Sequence, residues 1–161
     1  MGYDENTERE LFALDVVHAD GWPPAVRVPA RHHLCLLAGA MHHLSDGEIH
    51  ALARRLLDAG AVYLIAWGSA AERVHSLLRD AVLIAERSHA EETVVMTSAY
   101  EGPLEDALVF LLTDATPSAA YVESCRGALV LTIDAPAAAA VVAAALTAPA
   151  EFLARMAASG E

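Results

Sequence analysis

The chain has 161 residues, 55% of them hydrophobic, and 10 basic against 22 acidic side chains give a net charge of −12. That length suits one domain with a core of its own, and that charge repels polyanions, so nucleic-acid binding is not expected. Lysine and glutamine are absent and Asn6 is the only asparagine, which removes a P-loop lysine, a Schiff-base lysine and most amide readout of bases.

Residues 1–10 are polar and acidic, and Thr7 with Glu10 has the spacing to cap a short helix. Leu11 to His18 reads as a strand somewhat better than as an amphipathic turn. Gly21, Pro23, Pro24 and Pro29 then force an irregular connection. Residues 1–30 are thus expected to be a polar extension that either adds an edge strand or covers one face of the sheet, and residues 31–161 the α/β domain. Leu34 to Ala40 is the first buried strand. Ser45 and Glu48 form a capping box that opens a helix to about Ala59, with Gly60 as its stop. Ile49, Leu52, Leu56 and Leu57 make its apolar face, and His50, Arg54 and Asp58 its polar one.

Ala61 to Trp67 is a second apolar strand, and Ser69 with Glu72 repeats the capping pattern. The helix expected from Ala70 to about Arg87 carries a stripe of Val74, Leu77, Leu78, Ala81, Val82 and Ala85. Leu83 and Ile84 lie off that stripe and mark a second contact. Thr93 to Met96 or Thr97 reads as the third strand. Pro103 suits the first turn of a helix through about Thr113, with Glu105 and Asp106 near the positive end of its dipole. Ser118 to Arg126 fits either a short helix or an edge strand. Ala128 to Ile133 is the fourth strand, Pro136 opens an alanine-valine helix to about Thr147, and Pro149 opens another to about Ala157.

Strands alternating with helices imply parallel pairing through right-handed crossovers. The expected fold is a single three-layer, doubly wound α/β domain, flavodoxin-like or Rossmann-like. It has a mostly parallel sheet of about four to five strands, and 2-1-3-4 is the expected order of the four central ones.

Three short motifs in order, AWG at Ala66 to Gly68, VMT at Val95 to Thr97, and E-x-P-L-E-D-A-L from Glu101 to Leu108, resemble a family of small bacterial proteins known as an uncharacterised domain. The resemblance spans roughly Leu34 to Ile133 and implies the same fold without adding an activity. Where the family carries Thr-Thr-Trp-His, this chain has Thr97, Ser98, Ala99 and Tyr100. Where it often carries a cysteine after AWG, this chain has Ala71.

In a 2-1-3-4 sheet the crevice opens between the first and third strands. It would gather Met41, His42 and His43 on one side and Ser98, Tyr100 and Glu101 on the other. His42, His43, Ser98, Tyr100 and Glu101 are therefore the candidate ligand-binding residues, against the plainer reading that strand-end loops are polar because they meet water. No metal is expected at His42, His43 and His50, because adjacent histidines point apart and His50 lies well inside a helix. Trp67 is expected to pack over the helix that follows it. Cys35 lies in an apolar strand. Cys125 sits beside Arg126 with no histidine near in sequence, so no catalytic residue and no cofactor is assigned.

Val141 and Val142 on the alanine-valine helix are candidate interface residues, their other reading being simple burial. The stretch Ala135 to Ala150 falls short of a membrane span, and the acidic start MGYDENTERE lacks the pattern of a secretory leader. A cytoplasmic protein is the expectation. The functional expectation is a non-enzymatic binding, regulatory or scaffolding module with a protein partner or a second copy of itself. The alternative is a small-ligand sensor or enzyme with His42 or His43 as acid/base and Tyr100 and Glu101 orienting.

Overall fold

A computed structural model describes residues 2–4, 8–18, 28–88 and 94–160. Among these residues six strands form one sheet: β1 (Gly2–Asp4), β2 (Arg9–Val16), β3 (His32–Gly39), β4 (Ala61–Trp67), β5 (Met96–Tyr100) and β6 (Cys125–Ile133). The helices are α1 (Asp46–Asp58), α2 (Ala71–Ser88), α3 (Leu104–Thr113), α4 (Pro136–Thr147) and α5 (Pro149–Ser159). The sheet order is β1-β2-β6-β3-β4-β5. Strands β2, β6, β3, β4 and β5 are parallel, and β1 lies antiparallel on β2. The fold is α/β and Rossmann-like.

The chain builds outward from β3 to β4 and β5, then returns to set β6 on the other side of β3. Right-handed crossovers that run in opposite directions across a sheet must lie on opposite faces. Accordingly α1 and α2 cover one face with Cys35, Leu37, Leu64, Leu129 and Leu131 beneath them. The other face, with Leu34, Leu36, Ile65, Ala128 and Val130, packs with buried residues of α3, α4 and α5. Covered on both sides, β3 buries every residue from His33 to Ala38, which is why it reads as an unbroken apolar run.

The observed order corrects the expected 2-1-3-4: the same four strands run 4-1-2-3, so β4 separates β3 from β5. Periodicity identifies strands but does not say on which side of β3 the return strand docks. The third strand also begins later than expected, at Met96; Thr93 lies outside the described residues. All five of its residues are half-buried, so an edge strand in a polar stretch lacks the apolar run that marked its neighbours. Strand β2 begins at Arg9, so Glu10 lies in a strand rather than in a short helix, and Thr7 is outside the described residues. The ambiguous Ser118 to Arg126 resolves into a 3-10 turn at Ala119–Tyr121 and the start of β6.

Of the two capping boxes, the first forms in full: Glu48 N–H donates to Ser45 Oγ at 3.2 Å and Ser45 N–H donates to Glu48 Oε2 at 2.7 Å. The second makes no capping hydrogen bond among the described residues: α2 begins at Ala71, and its first turn closes from Val74 N–H to Ala70 O. Trp67 follows the two-residue alternation of β4, so it shares the face of Tyr63 and Ile65, opposite α2. Its indole N–H donates to Gly102 O at 2.9 Å, ahead of α3. Val142 is 1% exposed and Val141 is half-buried against the same core. Among the described residues no single helix is long and apolar enough to cross a membrane; α4 and α5 meet that composition only together, bent by 108°.

Candidate functional site

The strand order reverses at β3 and β6, and in open parallel sheets ligands bind beyond the carboxyl ends of the strands at such a point. Three strand ends are stitched together there. Ala40 N–H donates to Ile133 O at 3.1 Å, and Asp134 N–H donates to Val16 O at 2.8 Å. The Thr132 hydroxyl donates to Asp15 Oδ1 at 2.7 Å across β6 and β2. Gly39 makes the close approach possible: its φ is +142°, and a Cβ there would stand 2.2 Å from Ile133 O. Asp134, with φ of 46°, turns the chain from β6 toward α4.

A cleft of about 260 Å3 opens above these ends, lined by Val17, His18, Ala40, His43, Leu44, Glu48, Ile133 and Asp134. Four segments contribute its ionisable groups: His18 after β2, His43 after β3, Glu48 in the first turn of α1, and Asp134 after β6. Glu48 is fully exposed, and its hydrogen bonds from the Ser45 backbone and side chain hold its carboxyl below the usual range. It therefore stays ionised while serving as a cap. Arg73 of α2 fixes the other side of the same turn, donating to Leu44 O at 2.8 Å and to Asp46.

Of the expected site residues, His43 lines this cleft. His42 stands beside it, both rings exposed and tilted 45° with centroids 3.8 Å apart. Met41 turns inward and is 1% exposed. Ser98, Tyr100 and Glu101 end a strand two places away, so the sheet does not bring them to His42 and His43. Ser98 Oγ is buried without a partner among the described residues. Tyr100 lies 5.7 Å from the Phe110 ring, and Glu101 is exposed. The sequence marks Glu48 only as a cap and gives no signal for His18 and Asp134, which gain meaning only once β2 and β6 are neighbours.

Among the described residues no group of three or more His, Cys, Asp or Glu is placed to hold a metal ion. Both cysteines are buried and unpaired, and burial pushes both thiols up. At Cys125, burial outweighs the lowering effect of Arg9 and Arg126. Neither lines the cleft.

No curated protein and no solved structure matches this chain. Residues 16–149 match a family described as a domain of unknown function (DUF7684). That span covers every side chain of the cleft and all four central strands. The chain belongs to the DUF7684 family.

Proposed function

We propose that the protein is a non-enzymatic binding module that takes a small amine-bearing or otherwise cationic ligand into the cleft at the strand-order reversal. The observation that carries this reading is the convergence of Glu48 and Asp134 with His18 and His43 on one cleft of about 260 Å3. Two carboxylates favour a positive group, and the two imidazoles add ring nitrogens that can hydrogen-bond it. The chain's charge of −12 adds a field that draws cations and repels phosphates. Among the described residues no Ser, Thr or Cys lines the cleft, which favours binding over covalent catalysis.

Thermal shifts with butylamine, agmatine and spermidine, against acetate and phosphate, test it. An amine at about a hundred times its Kd adds roughly 2.7 kcal/mol. For a domain of this size that raises Tm by about 2–4 °C per kcal/mol. Asp134→Asn keeps a side chain that tolerates positive φ and should abolish the shift. Amines that leave the wild type unmoved, or that shift Asp134→Asn equally, would overturn the reading. A second reading, proton exchange by His43 on such a ligand, is favoured by the imidazole lying in the same cleft as two carboxylates. It predicts turnover lost in His43→Ala with binding retained.

A further inference from the structure

Among the described residues five large apolar side chains stand exposed, and two of them, Leu83 at 47% and Ile84 at 57%, are neighbours on α2. Beside Ile84 a groove of about 410 Å3 runs along the seam of α1 and α2. Leu57, Ala81 and Ala85 line it, and Arg54 and Asp58 stand along its α1 side. His50 also lines it, with Nε2 buried and without a partner among the described residues. The face thus carries a ridge and a hollow side by side.

Charge singles out the same face. Helices α1 and α2 hold five of the chain's 10 basic side chains and six of its 22 acidic ones. The remaining segments are heavily acidic. Two copies of a chain carrying −12 therefore approach at least electrostatic cost through α1 and α2. Elsewhere α4 is uncharged, but its large side chains Val142 and Leu146 face inward.

We propose that this face is a two-fold contact between two copies of the chain. Ile84 of each copy seats over Ala81 and Ala85 of the other, and Arg54 of each faces Asp58 of the other. A two-fold contact must be complementary to itself. Here apolar ridge meets small-residue hollow, and two opposite charges one helical turn apart on α1 exchange partners across the axis. A partner recognised by charge alone would call for a patch of one sign, and this groove carries both.

Sedimentation equilibrium on the full chain tests the contact. The wild type should have twice the monomer mass of 17.0 kDa at micromolar concentration. Ile84→Glu should run as a monomer with unchanged circular dichroism, because its side chain is already exposed. Arg54→Glu and Asp58→Arg should each weaken the dimer about tenfold, and the double reversal in one chain should restore it. A wild type that stays monomeric to about 100 µM, or a dimer that Ile84→Glu leaves intact, would overturn the proposal. Should Ile84→Glu fail to fold, the charge reversals decide: single variants without effect, or a double variant that does not recover, count against the contact.

Discussion

Two histidine pairs bracket β3, each followed by a leucine, and the fold treats them in opposite ways. His32 and His33 open the strand. His33 is 0% exposed with neither ring nitrogen partnered among the described residues, while His32 lies 2.7 Å from Ser124 Oγ and edge-on to Tyr121. His42 and His43 follow the strand on a 3-10 turn, their rings tilted against each other and exposed. The dipeptide is the same; only the backbone beneath it differs. In a central strand one side chain of any adjacent pair must enter the core whatever its polarity, whereas a turn beyond the sheet lets both reach water. Burial, with a smaller push from His32, lowers the His33 pKa to about 4. The amino end of β3 is therefore where acid should act on the fold, and the carboxyl end is where the proposed ligand would meet imidazole.

The comparison breaks most severely at Gly39, where the packed strand gives way to the exposed turn. Gly39→Ala forces a Cβ toward Ile133 O at a φ of +142°. It should cost about 3 kcal/mol or more, read as a fall in the denaturant midpoint, and should abolish any ligand response of the cleft.

Acid sharpens the contrast almost as much. Because the folded-state pKa of His33 lies below the unfolded value of 6.5, the unfolded chain binds the extra proton first. Stability is then full above pH 6.5 and declines as pH falls toward 4, by on the order of 3 kcal/mol from this group. His32, its pKa lowered by burial and by Arg31, acts in the same sense. His33→Leu should remove most of that slope in denaturation curves at pH 7 and pH 4.5 and cost little at pH 7, since it deletes two unpartnered nitrogens. An unchanged slope would assign acid sensitivity to other groups.

A smaller effect is expected at His32→Ala, which loses the contact with Ser124 and the Tyr121 edge. About 1 kcal/mol is the expected loss in urea melts at pH 7. The smallest belongs to the other pair. His42→Ala with His43→Ala should move stability by no more than about 0.5 kcal/mol while changing any binding isotherm measured at the cleft. A large loss of stability would mean that the exposed pair is structural.

The sequence carried the elements better than their arrangement. Pro136 and Thr147 bound α4 as expected, and the Ser45–Glu48 box starts α1, because caps and prolines act over one turn and are written locally. The doubly covered strands β3, β4 and β6 announced themselves as apolar runs. Strand β5 did not: at the edge, MTSAY needs to satisfy only one neighbour, and its start moved by three residues from Thr93 to Met96. The order of the strands was not legible, since 2-1-3-4 and the observed arrangement both satisfy right-handed crossovers. The site inherited that error. His43 was found because it directly follows β3, whereas His18 and Asp134 enter the cleft through pairing between segments at opposite ends of the chain.

Inserting β6 between β2 and β3 also sets an order of events during synthesis. Strand β2 pairs with β6 alone among the central strands, across a sequence separation of 117 residues at the Asp15–Thr132 bond. At translation rates of about 5–20 residues per second, β2 leaves the ribosome on the order of ten seconds before its neighbour exists. In that interval β3, β4 and β5, which are sequential neighbours, can assemble with α1 and α2, while the apolar edge of β3 stays open. The nascent chain thus exposes an apolar strand on the flank that β6 will close. A chaperone that shields extended apolar segments would act here, and chains halted before Cys125 should aggregate through the β3 edge.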